Sequence, residues 1–201
     1  MLLIEKFKDI CRSNPQTVLF AEANDPRIIE AARYLKDNQL AHPILIGGTF
    51  EVREIAEHLN ISTRGFEIIN HKHQKDVQPF LEQLLHQGRF RESSRDELEI
   101  YLKDELIYTL TRLSFNKADF ALAGNLSSME KVARAALAAV GVCPKFKRAS
   151  AYYLLFSKDQ KRIFLFADCS INVNPSAEIL AEIAVKSAEK YIRITGGYQE
   201  N

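Results

Sequence analysis

The sequence predicts an α/β protein: a three-layer α/β/α sandwich around a mostly parallel sheet, followed by part of a second domain. Three observations predict it. Short apolar runs alternate with amphipathic stretches over most of the chain, the pattern of strands joined by helical crossovers. Those runs are apolar at nearly every position, so each strand is built to be covered on both faces. After Pro144 the alternation stops, and two β-rich runs follow with only Lys158-Asp159-Gln160-Lys161 between them, the spacing of a hairpin. Residues 1–144 are therefore assigned to the α/β/α domain and residues 145–201 to the partial second domain.

In chain order, Met1-Leu2-Leu3-Ile4 runs straight into Glu5, Lys6 and Lys8, which reads as an amphipathic helix and not as a signal peptide. Residues 17–21 form the first strand. Asn24 or Asp25 then caps a helix opened by Pro26, whose missing N–H has no helical partner at that position; Ile28, Ile29, Ala32 and Leu35 give it a buried stripe. Residues 43–46 form the second strand, ending in Gly47-Gly48, and Thr49 caps a helix carrying Val52, Ile55, Ala56 and Leu59. Residues 65–69 are the third strand. A helix from residue 77 to about residue 86 groups Phe80, Leu81, Leu84 and Leu85, and the turn Gly88-Arg89-Phe90-Arg91 follows.

Ser94 and Glu97 make a capping box for one long helix through Leu98, Tyr101, Leu102, Leu106 and Leu110. Residues 118–124 form the fourth strand. Ser127 and Glu130 make a second box, for a helix with Val132, Ala136, Ala139 and Val140 that Gly141 closes in the left-handed conformation. The hairpin strands are residues 149–157 and 162–167. Asn174 is expected to cap the last helix with Pro175 in first position; Glu178 complements its positive end, and Leu180, Ile183, Ala184 and Ser187 share its buried face.

The totals narrow the function. A formal net charge of +1 over 201 residues gives no electrostatic reason to expect nucleic acid or an anionic membrane as partner. No apolar run approaches the roughly 18 residues of a membrane span. Cys11, Cys143 and Cys169 are odd in number and lack metal-type spacing, as expected of reduced thiols in cytoplasm. His71-Lys72-His73 has no third ligand at diagnostic spacing, so no metal site is assigned. His42, His58 and His86 are scattered.

One turn stands out. Gly124, Asn125, Leu126, Ser127 and Ser128 lead from the fourth strand into a helix that carries Arg134. Backbone N–H groups at a helix start, with hydroxyls and a guanidinium, are suited to a phosphate or carboxylate. Ordinary helix capping beside a surface arginine explains the same residues, and Glu130 would compete with a bound anion for the donors. Lys145-Phe146-Lys147-Arg148 can meet nucleotide phosphates or merely form a solvated hairpin entrance. Asp168 and Cys169 sit at a strand end, where open sheets place ligands; Asp168 can equally hold its own turn, and Cys169 has no evident base beside it. No Walker loop, GxGxxG or GxSxG motif is present, and no catalytic residue is assigned.

Longer segments carry a family resemblance. Phe166-Ala167-Asp168-Cys169-Ser170-Ile171-Asn172-Val173-Asn174-Pro175, followed by Ala181-Glu182-Ile183-Ala184-Val185-Lys186-Ser187-Ala188-Glu189, resembles the phosphate acetyl/butyryltransferase family. Ala21-Glu22-Ala23-Asn24-Asp25-Pro26-Arg27 is similar to that family's first strand-to-helix turn, with Ala21 and Ala23 where proline and glycine are usual. Ala41-His42-Pro43-Ile44-Leu45-Ile46-Gly47 is similar to its second strand, and the stretch from Ala118 to Ala136 places Arg134 in register with a substrate-binding arginine.

The resemblance implies the N-terminal half of a phosphate acetyltransferase with an isocitrate dehydrogenase-like fold. It also implies conversion of acetyl-CoA and phosphate to acetyl phosphate and CoA in a cleft between domains. CoA and acetyl-CoA would be substrates, and no cofactor or metal is required. Gly124, Asn125, Ser127, Ser128 and Arg134 would bind substrate. Three departures accompany it: the hydroxyl-rich run is reduced to Ser127-Ser128 before Met129 and Glu130, Leu84 stands where many members have arginine, and the family's later half is missing. The expectation is therefore weak or absent activity alone. The alternatives are a non-catalytic module that senses CoA or acetyl phosphate or binds a protein, and one half of a split enzyme. A homo-oligomer or a companion chain is the expected partner.

Overall fold

The computed structural model describes residues 3–86, 90, 92–143, 148–159, 162–169 and 171–196. The Gly88-Arg89 and Arg91 part of the predicted turn, Pro144, Lys145-Phe146-Lys147, the hairpin turn at Gln160-Lys161, and Ser170 lie outside them. The chain forms two compact units, one of Lys8–Gly141 and one of Met1–Phe7 with Val142–Asn201.

The larger unit is built on four parallel strands: β1 (Gln16–Phe20), β2 (Ala41–Ile46), β3 (Glu67–Ile69) and β4 (Phe120–Leu122). Their spatial order is β3-β2-β1-β4. Apolar residues on both faces of the central strands require cover on both, and helices supply it. Val18, Phe20 and Leu45 pack against Ile28, Ile29 and Ala32 of α2 (Pro26–Asp37) and Val52 and Ala56 of α3 (Thr49–His58). Leu19, Ile44, Ile46 and Ile69 point the other way. They pack against Val77, Phe80, Leu81 and Leu84 of α4 (Gln74–Leu85), Leu98 and Leu102 of α5 (Arg95–Leu102) and Tyr108 of α6 (Glu105–Ser114). Finally, α7 (Met129–Ala139) seats Ala135 and Ala139 against Leu106, Ile107 and Leu110. This is the three-layer parallel arrangement that the alternation of elements predicted.

Where the chain departs from the expected boundaries, local backbone chemistry explains it. The long helix expected after Ser94 is two helices. The Ser94–Glu97 box forms as expected, but Asp104 accepts the N–H groups of Leu106 and Ile107 and starts α6 anew. Thr49 lies inside α3, and Gly48 caps it without a side-chain bond. The second capping box does not form, because Ser128 and not Ser127 occupies the cap and accepts Lys131 N–H. Gly141 does take positive φ, at 85°, and donates to Ala136 O.

In the smaller unit, β5 (Tyr152–Phe156) and β6 (Ile163–Ala167) pair antiparallel as a hairpin. The following helix, α8, spans Ala177–Thr195. Asn174 does not cap it: at φ 51° its backbone is left-handed, whereas a cap needs the extended conformation of Ser176, which accepts Ile179 N–H. Cross-strand partners Tyr153 and Phe166, and Leu155 and Phe164, place four large apolar side chains on one strand face, 41–53% exposed. Of the expected buried face of α8, Ile183 is buried and Leu180 is 53% exposed. A groove of about 900 Å³ runs between β6 and α8.

Leu45 is fully buried in β2 and Phe50 is 78% exposed. Leu45→Ala is expected to lower the unfolding free energy by about 2–5 kcal/mol, against less than about 0.5 kcal/mol for Phe50→Ala. Denaturant titration followed by circular dichroism measures both, and equal losses would contradict this assignment of the core.

Candidate functional site

Strand order fixes where the open end of the sheet is useful. The chain steps outward from β1 to β2 to β3, then returns across α4, α5 and α6 to lay β4 on the other side of β1. The loops leaving the carboxyl ends of β1 and β4 therefore diverge, and in open α/β sheets the crevice at such a reversal is where ligands bind. Glu22 lies in the first loop and the 124–127 turn in the second.

These two loops are joined by one carboxylate. Glu22 Oε2 accepts the backbone N–H groups of Gly124 at 3.0 Å, Asn125 at 2.6 Å and Leu126 at 3.0 Å, and Oε1 accepts that of Ser127 at 2.8 Å. Glu22 is only 5% exposed. Its backbone is left-handed, at φ 59°, a conformation that costs about 1 kcal/mol or more outside glycine. Its own N–H donates to the carboxylate of Glu105 at the start of α6. The flanking residues tie the same corner to both neighbouring strands: Ala21 N–H reaches Leu122 O and Ala23 N–H reaches Ile46 O. On the opposite loop Gly124 holds φ 101°, and a Cβ there would meet Val132 Cγ2 at 3.6 Å and Ser127 O at 3.8 Å, both ordinary contacts, so backbone conformation and not crowding calls for glycine there.

The two carboxylates titrate in opposite directions. Burial, the largest single influence on Glu22, raises its proton affinity. The Ser127 hydroxyl and the N–H groups of Leu126, Asn125 and Gly124 together outweigh it, so its pKa falls below the ordinary glutamate value. For Glu105 burial again comes first and prevails over the N–H of Glu22, so its pKa is raised.

The residues singled out in the sequence divide into three groups. The backbone donors of Gly124, Asn125 and Ser127 do hold an anion, and that anion is Glu22. Asn125 Nδ2 is buried without a hydrogen-bond partner among the described residues, while its carbonyl accepts Arg27 Nη2 at 3.3 Å. Ser128 is used as the α7 cap. Arg134 lies one and a half turns further along α7; its guanidinium is 77% exposed and pairs with Glu130. Glu130 thus faces along the helix to Arg134.

Arg27 is clamped to Asp25, whose pKa this pairing lowers, and Lys131 Nζ stands 3.7 Å from Asp104. Leu84 is fully buried in the core. His71 is buried with Nδ1 unpartnered among the described residues, and burial followed by nearby Lys72 lowers its pKa; His73 is exposed. In the smaller unit Asp168 accepts Asn172 N–H at 3.3 Å and so holds its own turn, and Cys169 is exposed.

Sequence reading passed over Glu22 and Glu105 as site residues. A glutamate at a strand end, followed by a helix cap, is the only local signal for Glu22, and the partners of its carboxylate are 102–105 residues away.

A parallel sheet with a built turn at its reversal point defines a doubly wound α/β domain. Comparison with known proteins makes the assignment specific. The chain belongs to the phosphate acetyl/butaryl transferase family, whose model matches residues 2–197. It is 29% identical over 196 residues to a phosphate acetyltransferase of Thermoanaerobacterium thermosaccharolyticum, covering 94% of this chain and 58% of that protein. It is also 29% identical over 171 residues to the Bacillus subtilis phosphate acetyltransferase, covering 85% and 52%. Among solved structures, a phosphotransacetylase from Streptococcus pyogenes superposes with a TM-score of 0.88 at 27% identity, over 96% of this chain and 58% of that one. The chain thus spans a little over half the length of these three relatives, a share that fits the N-terminal half assigned from the motifs.

Opposite shifts of the two glutamates give a pH test. Stability due to Glu22 is present above the ordinary glutamate value and is lost as pH falls through its lowered native value. The penalty from Glu105 grows as pH rises from the ordinary value towards its raised native one. Glu22→Gln is expected to flatten the stability profile on the acid side of about pH 4.3, and Glu105→Gln on the other side. Urea unfolding across that range reads both, and profiles parallel to the wild type would contradict the shifts.

Proposed function

We propose that this chain serves acyl transfer between CoA and phosphate, the acetyl-CoA plus phosphate to acetyl phosphate plus CoA reaction, and that it works in cytoplasm. A phosphate oxygen attacks the thioester carbonyl, the C–O bond forms, the C–S bond breaks, and the departing thiolate of CoA takes up a proton. Such a reaction needs positioned charge more than a cofactor, and none is invoked. The observation that carries the reading is the place of the 124–128 turn at the reversal of strand order, with Arg134 on the helix that follows it, in a chain belonging to this family.

Arg134 is the group best fitted to meet the substrate anion. Its present partner, Glu130, is an exposed neighbour four residues earlier on the helix, and such pairs are worth only about 0.3–0.5 kcal/mol. A phosphate offers two oxygens to the guanidinium fork and displaces that carboxylate at little cost. Asn125, Ser127 and Ser128 contribute side-chain polar groups around it, while Gly124 shapes the turn.

A second polypeptide completes the working unit in this reading, either another copy or a companion chain. The exposed face of Tyr153, Leu155, Phe164 and Phe166 supports it, because a two-stranded sheet with an uncovered apolar face gains by burying it. The same face favours the protein-binding form of the second reading, a non-catalytic module that binds a protein or senses CoA or acetyl phosphate.

Isothermal titration with CoA and with inorganic phosphate is expected to give saturable binding, and Arg134→Gln to weaken phosphate binding roughly tenfold. An acetyl phosphate assay with and without a companion chain separates the readings: turnover in either setting supports the enzyme, binding without turnover supports the sensor, and no ligand binding at all rejects both and leaves only protein partnership. Light scattering is expected to show a species larger than the monomer for the isolated chain or its mixture with a companion. A clean monomer at high concentration in both would reject the partner.

A further inference from the structure

Four backbone donors converge at the mouth of the sheet, yet none faces solvent unmet. Each bonds to a carboxylate that the chain itself supplies from the far side of the crevice. That carboxylate is held in turn. Glu22 is 5% exposed, its backbone is left-handed, and the Glu105 side chain at the head of α6 takes its N–H. Three segments distant in sequence, the β1–α2 loop, the start of α6 and the β4–α7 turn, are thereby locked into one geometry. The α7 helix bearing Arg134 begins immediately beyond the last of them.

We propose that Glu22 is the positioning residue of this site. Its carboxylate is a permanent internal anion that sets the 124–127 turn and the direction of α7, and the backbone donors it occupies take no part in holding substrate. The substrate anion is left to side chains, with Arg134 first. This rests on the reading of Arg134 given above and adds to it a residue that touches neither substrate nor reacting atoms. The division of labour follows from charge. A buried carboxylate with four N–H partners and a hydroxyl is fully satisfied, so an incoming phosphate gains nothing from the backbone donors of that turn and is repelled by the charge already held there. A phosphate at the exposed guanidinium of Arg134 meets an unburied opposite charge.

Chemical complementation tests the proposal. Glu22→Gly deletes the carboxylate while suiting the left-handed backbone, and the vacated space admits formate. Thermal melting and phosphate titration are run on wild type and variant with sodium formate against sodium chloride at equal ionic strength. The expected result has three parts. The variant melts lower, it binds phosphate roughly tenfold more weakly at a temperature where it is folded, and formate restores both in a saturable manner without affecting the wild type.

If formate and phosphate instead compete in the variant, the turn is itself a substrate pocket that Glu22 blocks, and the proposal falls. It falls equally if variant and wild type behave alike, or if formate does no more than chloride. Should the variant not fold, amide NMR of the wild type decides: the Gly124, Asn125, Leu126 and Ser127 N–H signals must shift together in one acid titration, and independent behaviour overturns the assignment. Absence of phosphate binding by the wild type would reject the Arg134 reading alone, because the melting and NMR results do not depend on it.

Discussion

Everything at the open end of the sheet depends on the carboxylate of Glu22. Without it, the four N–H groups of the turn that precedes α7 would converge unpaired in a half-buried corner, and each would need water or an ion. With it, the diverging loops after β1 and β4 become one rigid rim. Burying a charge is costly in general; here the dense set of donors more than offsets the cost, as the lowered proton affinity of the group records. The left-handed backbone of Glu22 is a second cost, and the N–H bond to Glu105 helps to hold that conformation in place.

The rim also separates two tasks that a bare helix start would combine. A helix start that binds a mobile anion must be open, and an open turn with Gly124 at its head would be loose. Filling the donors from within makes the turn stiff and leaves recognition to longer side chains. Arg134, Arg27 and Lys131 all stand near carboxylates, yet to different degrees. Arg27 is gripped through two nitrogens by a buried aspartate, whereas Arg134 has one exposed neighbour. Only the second arrangement leaves a cation free to exchange partners.

Much of the fold was legible because it rests on local pattern. Unbroken apolar runs marked the strands, and helical stripes such as Ile28, Ile29 and Ala32 marked the layers. What escaped was decided by competition between similar local signals. Ser127 and Ser128 are both good caps, and Ser127 is drawn off by Glu22, which leaves the cap to its neighbour. Asn174 and Ser176 are both good caps, and the left-handed backbone at Asn174 settles the choice. The break at Asp104 was hidden by an apolar stripe that continues in phase across it. At the site, the anion-binding character of the turn could be read, but the identity of the anion could not, since no periodicity connects Glu22 to residues 102–105 positions later.

That separation has a consequence during synthesis. β1 pairs with β2 through nearby residues but with β4 through Val18–Phe120, Leu19–Ala121 and Phe20–Leu122, all far apart in sequence, and the acceptor of the turn waits at position 22 for residues that emerge 102–105 positions later. At about 5–20 residues per second, the nascent chain leaves one edge of its innermost strand open for roughly 5–20 seconds. An apolar strand edge is a template for mispairing until it is covered, and in the finished fold β4 is what covers this one.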